Sequence, residues 1–206
     1  MAEKDFKKFI PSVAEADRYW KEWLTKDSYV YAEDALARLF GMRDKNYLDA
    51  SDLMIKCSTL NDFYSTNIYA VYNVVKHYLE VGDLKGRLAK GDLSLVEDLR
   101  KVQVKKKDQS TSEKDFYSFA TKFCAHHNPE AYPIYDSYVD RMLRELRNRD
   151  RKIQFRNYEL KDYRKFVNVI RQMQKEYRIE ELSFRQVDIM LWLAGKEYFP
   201  QRKIDK

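Results

Sequence analysis

Arg141, Arg144 and Arg147 recur at every third position, and on a helix turning 100° per residue they fall within about 120° of arc. Val139, Met142, Leu143 and Leu146 gather on the neighbouring side of the same segment. A row of guanidinium groups beside an apolar face suits a phosphate backbone, since each contact neutralises one phosphate and releases counterions. The same pattern also describes a solvated helix face. Charge bias favours the first reading. Between Arg141 and Arg178 thirteen Lys/Arg stand against five Asp/Glu, a balance of +8, so the remainder of a chain of net charge +6 sums to −2. Arg151 continues the row, and Lys105, Lys106 and Lys107 form a second basic cluster. Phe155, Tyr158 and Tyr163 lie among the charges, where aromatic rings either stack on exposed bases or fill the core. The pattern predicts a nucleic-acid partner, with duplex DNA first.

Other chemistries find less support. The chain has no CxxC pair, HExxH, GxxxxGK[ST] or GxGxxG. His126 and His127 are adjacent, so on a helix they point about 100° apart and cannot chelate one metal as an i, i+4 pair does. His127 falls on the stripe of Phe116, Phe119 and Phe123, whereas His126 shares a side with Lys122, four residues before it. Cys57 and Cys124 each sit in an apolar helical pattern and read as buried free thiols rather than a disulfide. Neither a metal nor a cofactor is expected.

The elements that position these residues read as helices. Five glycines and four prolines in 206 residues leave little material for the turns of a β protein. The expected fold is all-α: one multi-helix domain over 1–206, or two helical subdomains, 1–104 as scaffold and 112–200 as the basic half, with a cleft between them. Ser12-Val-Ala-Glu15 is a capping box opening a helix that turns Val13, Ala16, Trp20 and Trp23 inward. A second helix runs from Tyr31 to Phe40 with Gly41 as its stop, and Ser51 or Asp52 caps a third. Ile68, Val71, Tyr72, Val75 and Leu79 form a stripe ending at Gly82. A short helix over 93–102 leads to an exposed polar loop at 105–112, the best boundary between halves, and a fresh helix follows Ser112. Asp136 is placed to cap the arginine helix. Phe166, Val169, Ile170, Met173 and Tyr177 mark another helix. The box Ser183-Phe-Arg-Gln186 opens the last, closed by Gly195. No apolar run approaches 18 residues and the charged N-terminus lacks a signal-peptide pattern, so a cytoplasmic chain without membrane contact is expected.

One segment, residues 118–143, resembles the core of the helix–hairpin–helix DNA glycosylases, the superfamily of the 8-oxoguanine DNA glycosylase fold. In that family a hairpin helix leads through a short apolar linker with a proline to an Asp that opens the next helix; here Pro133-Ile-Tyr-Asp136-Ser-Tyr-Val139 takes that form, with one extra residue between Pro and Asp. The terminal Val187-Asp-Ile-Met-Leu-Trp192-Leu-Ala-Gly195 is similar to the closing helix of glycosylase-like bacterial proteins. The resemblance implies excision of a damaged base. Asp136 would stabilise positive charge at the sugar, Lys122 would be a Schiff-base nucleophile at C1′, and Tyr135, Tyr138 and His126 are candidate pocket residues. The family's glycine-rich hairpin, whose backbone amides clamp a phosphate, is missing, because no glycine occurs between Gly91 and Gly195. A degenerate scaffold that binds DNA or RNA without chemistry, and a helical interaction protein with an incidental basic face, are the alternatives.

Overall fold

A computed structural model describes residues 5–41, 48–105 and 110–200. The fold is all-α as expected, with ten α-helices and one two-stranded hairpin among the described residues. The chain divides into two units, the first made of Met1–Asp27 and Ile134–Lys206, the second of Ser28–Pro133. The chain re-enters the first unit at the short Tyr132-Pro-Ile-Tyr linker, whereas the polar 105–112 stretch lies inside the second unit.

The first unit holds α1 (Val13–Leu24), α8 (Ser137–Asp150), a 3-10 turn (Asn157–Lys161), α9 (Tyr163–Glu176) and α10 (Phe184–Tyr198). Ser12 Oγ accepts from Glu15 N to start α1, and the Ser183/Gln186 box forms in full at α10. Along α1 the buried residues are Ala16, Tyr19 and Trp23, while Trp20 is exposed. The tyrosine can be buried because its hydroxyl reaches Glu197 at 2.8 Å. Trp23 meets Trp192 of α10 edge to face. Arg149 draws the N-terminal segment onto α8, its Nη1 donating to the carbonyls of Phe6 and Phe9. Asp150 holds Arg149 and accepts from Tyr177 Oη.

Gly195 does not close the last helix. It lies inside α10, and a Cβ there would stand 2.8 Å from Tyr138 Cβ of α8. The glycine lets the two helices approach. Alanine in an open helix interior would gain about 1 kcal/mol over glycine, but here the contact is between rigid parts of two helices. Gly195→Ala is expected to destabilise by about 1–3 kcal/mol, read as a lowered urea midpoint. An unchanged or raised midpoint would mean that the helices separate freely.

The second unit contains α2 (Asp27–Gly41), α3 (Ala50–Phe63), α4 (Val71–Glu80), α5 (Leu84–Lys90), α6 (Ser94–Arg100), β1 (Lys101–Lys105), β2 (Thr111–Asp115) and α7 (Tyr117–His127). α2 starts earlier than expected and takes Gly41 into its last turn, and α3 is capped by Asp49, not by Ser51 or Asp52. The core face of α4 is Val74, Val75 and Tyr78, with Tyr72 and Leu79 exposed. The expected stripe was anchored on Ile68, which is buried but precedes the helix. The two ends of the expected loop and the start of the expected helix after Ser112 belong instead to an antiparallel hairpin pairing Lys101 with Asp115 and Lys105 with Thr111, and residues 106–109 of that loop lie outside the described residues. Arg100, itself buried, fastens it by a fork on Asp115 (2.8 and 2.6 Å), with its guanidinium over Tyr117.

Candidate nucleic-acid interface

Asp136 caps α8 from an extended backbone, its Oδ1 accepting from Val139 N at 2.8 Å. Cα–Cβ vectors along the helix then bury Val139, Met142, Leu143 and Leu146, as the periodicity predicts. The arginines beside them are less available than their spacing implies. Arg144 is held by Asp140, Nε to Oδ1 at 2.6 Å. Arg147 donates through Nη1 to Phe155 O and Asn157 Oδ1, both at 2.9 Å, and lies over the Phe155 ring. Arg141 is exposed, with its guanidinium 4.2 Å from the Phe199 ring centroid. Arg151 is exposed and ends α8 in the left-handed region at φ 55. Two of the four are thus bound within their own unit by an ion pair or hydrogen bonds, and a third by a ring contact.

Tyr135 is buried rather than lining an open pocket. Its hydroxyl donates to Asp140 at 2.7 Å and accepts from Lys161 Nζ at 2.6 Å. Burial, then the bond to Asp140, drives its proton affinity well above that of a free phenol, so it acts as a fixed donor. Tyr138 is partly exposed, its Cβ facing Gly195.

The exposed positive charge lies one helix further on. Arg164, Arg171 and Lys175 are all exposed on α9 and fall within about 40° of arc at 100° per residue. Asn168 sits on the same stripe, and Arg178 follows just beyond the helix end with φ 57. Among the described residues none of Arg164, Arg171 and Lys175 takes a hydrogen bond or ion pair; Arg171 has only a distant ring contact, 6.0 Å from Phe184. The opposite side of α9 is wholly committed to the core through Phe166, Val167, Val169, Ile170 and Met173. Of the aromatic residues among the charges, Tyr158 is exposed, Tyr163 is buried and Phe155 lies under Arg147. The signal for this stripe was in the +8 segment already; a helical wheel over 163–176 would have found it.

In the second unit Lys122 is buried in α7, its ammonium donating to Ser118 Oγ at 2.5 Å and standing 5.1 Å from the Tyr64 ring centroid. His126 Nε2 pairs with Tyr64 Oη at 2.9 Å. Lys105 is exposed at the end of β1, while Lys106 and Lys107 lie outside the described residues. Burial pushes the thiols of Cys57 and Cys124 up, Cys57 to about 12, as suits inert core cysteines. Among the described residues no group of three His, Cys, Asp or Glu could hold a metal ion, and no helix is long and apolar enough to cross a membrane.

Residues 15–131, more than half of the chain, match the family model described as HI_0787_N, N-terminal domain. An uncharacterized protein of Haemophilus influenzae (strain ATCC 51907 / DSM 11121 / KW20 / Rd) is 46% identical over 143 residues, which cover 69% of this chain. The match spans 66% of that relative's own length, just under two thirds. No solved structure matches the chain.

Proposed function

The chain belongs to the HI_0787_N N-terminal-domain family, and from the surface chemistry of its own first unit we propose that it binds nucleic acid through the exposed face of α9. The observation that carries this is the acid-free stripe of Arg164, Arg171 and Lys175. Along the axis the cations stand about 10 and 6 Å apart at 1.5 Å per residue. At 3.4 Å of axis per phosphate on one strand, those steps correspond to about three and two phosphates. Exposed Tyr158 adds a ring that can stack on a base. A membrane surface suits this helix less well, because interfacial binding needs an apolar face to insert and α9 has buried its own. The test is duplex binding by the full chain across a salt series. A log–log slope of about −2.7 or steeper is expected for three or more phosphate contacts; a flat response removes the proposal.

Base excision is the second reading, favoured by Asp136, which caps α8 as the corresponding Asp does in the glycosylases that residues 118–143 resemble. Here Asp136 stabilises positive charge developing at the sugar as the N-glycosidic bond breaks. Lys122 fits the covalent step less well, since its amine is buried and donates to Ser118. Asp136→Asn keeps the cap and removes the charge. On duplexes carrying oxidised, deaminated or abasic sites, base release by the wild-type chain is expected to fall at least about 100-fold in this variant, with an unchanged thermal midpoint. No release from any of these substrates ends this reading, and borohydride trapping reports separately on Lys122.

A further inference from the structure

In the second unit α4 is occupied on three sides. Val74, Val75 and Tyr78 enter the core, His77 Nε2 pairs with Asp98 O at 2.7 Å, and Asn73 Nδ2 donates to Gln103 O on β1. The fourth side presents Tyr72, Lys76 and Leu79, all exposed and within about 60° of arc at 100° per residue. The turn leading into α4 adds two more rings. Phe63 ends α3, and Tyr69 follows the buried Ile68. Asn61 fixes this turn: its Oδ1 accepts from Ile68 N and Thr66 Oγ1, and its Nδ2 donates to Ile68 O. Ser65 and Asn67 are held in the left-handed region at φ 47 and 55, which side chains other than glycine adopt at a cost. An ordered turn therefore holds Tyr69 in solvent. An aromatic ring fixed in advance loses little freedom on association, which is why tyrosine anchors interfaces.

Area and charge together say what covers this face. Exposure is 98% at Tyr69, 64% at Tyr72, 42% at Phe63 and 46% at Leu79. That is equivalent to two whole aromatic side chains and half an aliphatic one, about 400–500 Å² of largely apolar surface. A standard interface takes about 800 Å² from each partner, of which about 450 Å² is apolar. The face thus matches one side of such an interface. Charge then selects the partner. Between Ser28 and Pro133 fifteen Lys/Arg stand against fifteen Asp/Glu, so the first unit carries the whole +6. A neutral unit neither attracts a polyanion nor repels its own copy. Lys76 and Glu80, both exposed, give the rim one charge of each sign, so two copies meet there without net repulsion.

We infer that the chain forms a two-fold homodimer through the turn between α3 and α4 and the outer side of α4, with Tyr69 and Tyr72 as anchors. Each copy buries the same patch against the other, as closed two-fold symmetry requires. None of these residues belongs to the α9 stripe, so dimerisation and nucleic-acid binding stand or fall separately, and a dimer carries two stripes.

The test is sedimentation equilibrium of the full, nuclease-treated chain up to about 100 µM, at about 0.15 M and about 0.5 M salt. A dimer with Kd of about 10 µM or below is expected at both salts, because apolar association is not screened. Changing Tyr69 and Tyr72 together to serine is expected to weaken it at least about 100-fold. Tyr31→Ser, at an exposed ring on α2 outside this face, should leave it unchanged. A wild-type monomer at the highest concentration overturns the inference and leaves the face to a different protein. So does a dimer that survives the double change, one lost in Tyr31→Ser, or one that the higher salt dissociates. Circular dichroism checks that each variant folds. If the double variant does not, Leu79→Lys, on the same exposed arc of α4, decides by the same outcomes.

Discussion

Changing Arg164, Arg171 and Lys175 together to glutamine is expected to weaken duplex binding roughly 500-fold at 0.1 M salt and to flatten its log–log salt slope by about 2.7. Each phosphate contact contributes about 0.9 to that slope, so three of them amount to about 2.7 decades between 1 M and 0.1 M salt. Stability should change little, because all three side chains are exposed and none takes a hydrogen bond or ion pair among the described residues. The contrast that makes this specific is on α8. Arg144 is neutralised by Asp140 and Arg147 is fastened to Phe155 O and Asn157. Glutamine at either position should move the slope by well under half a unit, and Arg147→Gln should cost about 1 kcal/mol of stability through its lost bonds. Filter binding or fluorescence anisotropy at four salt concentrations reads the slope, and a urea titration reads the stability. If the α8 changes flatten the slope and the α9 changes do not, the interface has been placed on the wrong helix.

The outcome on these two helices shows what the sequence can express. Apolar periodicity predicted the buried faces of α8 and α9 correctly, because burial is a property of one helix against a core and the 3.6-residue period records it. Which arginines remain exposed is not a property of one helix. It depends on Asp140 one turn before Arg144 and on a carbonyl eight residues after Arg147, and the second of these has no sequence signature. The hairpin was hidden for a similar reason. Lys101-Val-Gln-Val-Lys105 alternates, but its partner Thr111–Asp115 has no apolar residue to alternate with, and the pair is fixed by ladder bonds and the Arg100–Asp115 fork. Gly195 reads as a stop because glycine commonly follows helices, yet its reason is the Tyr138 side chain on another helix. Asp136 was legible as a cap because capping needs only the residues from Asp136 to Val139. The pairing of Lys122, His126 and Tyr64 required α3 and α7 to meet, and only the Lys122–His126 half of it is visible as an i, i+4 spacing.

Acidification from pH 7 to 4.5 is expected to remove about 3 kcal/mol of stability through His127 alone. Burial, with help from Lys56 and His126, lowers this imidazole from an ordinary 6.5 to about 3. Between those two values the unfolded chain binds a proton there and the folded chain does not, so stability falls as pH falls. Above 6.5 both states are neutral and the effect is absent; the full loss, on the order of 4–5 kcal/mol, is reached only near pH 3. The carboxylates act in a different window. Hydrogen bonding and charge from Arg149 hold Asp150 below the usual carboxylate range, and Arg100 does the same for Asp115 against an opposing effect of burial. Their contribution is complete above the ordinary carboxylate value near 4 and fades below it. The interval from pH 6.5 to 4.5 therefore separates the His127 imidazole from these two carboxylates. His127→Phe retains an aromatic ring beside Phe40 and Phe123 while removing the titrating nitrogen and a buried polar atom that has no hydrogen-bond partner among the described residues. The variant should match or exceed wild-type stability at pH 7 and hold its urea midpoint nearly constant to pH 4.5, where wild type declines. A parallel decline in both proteins would assign the acid sensitivity to another group and would show that the His127 ring accepts its proton without opening the aromatic core of the second unit.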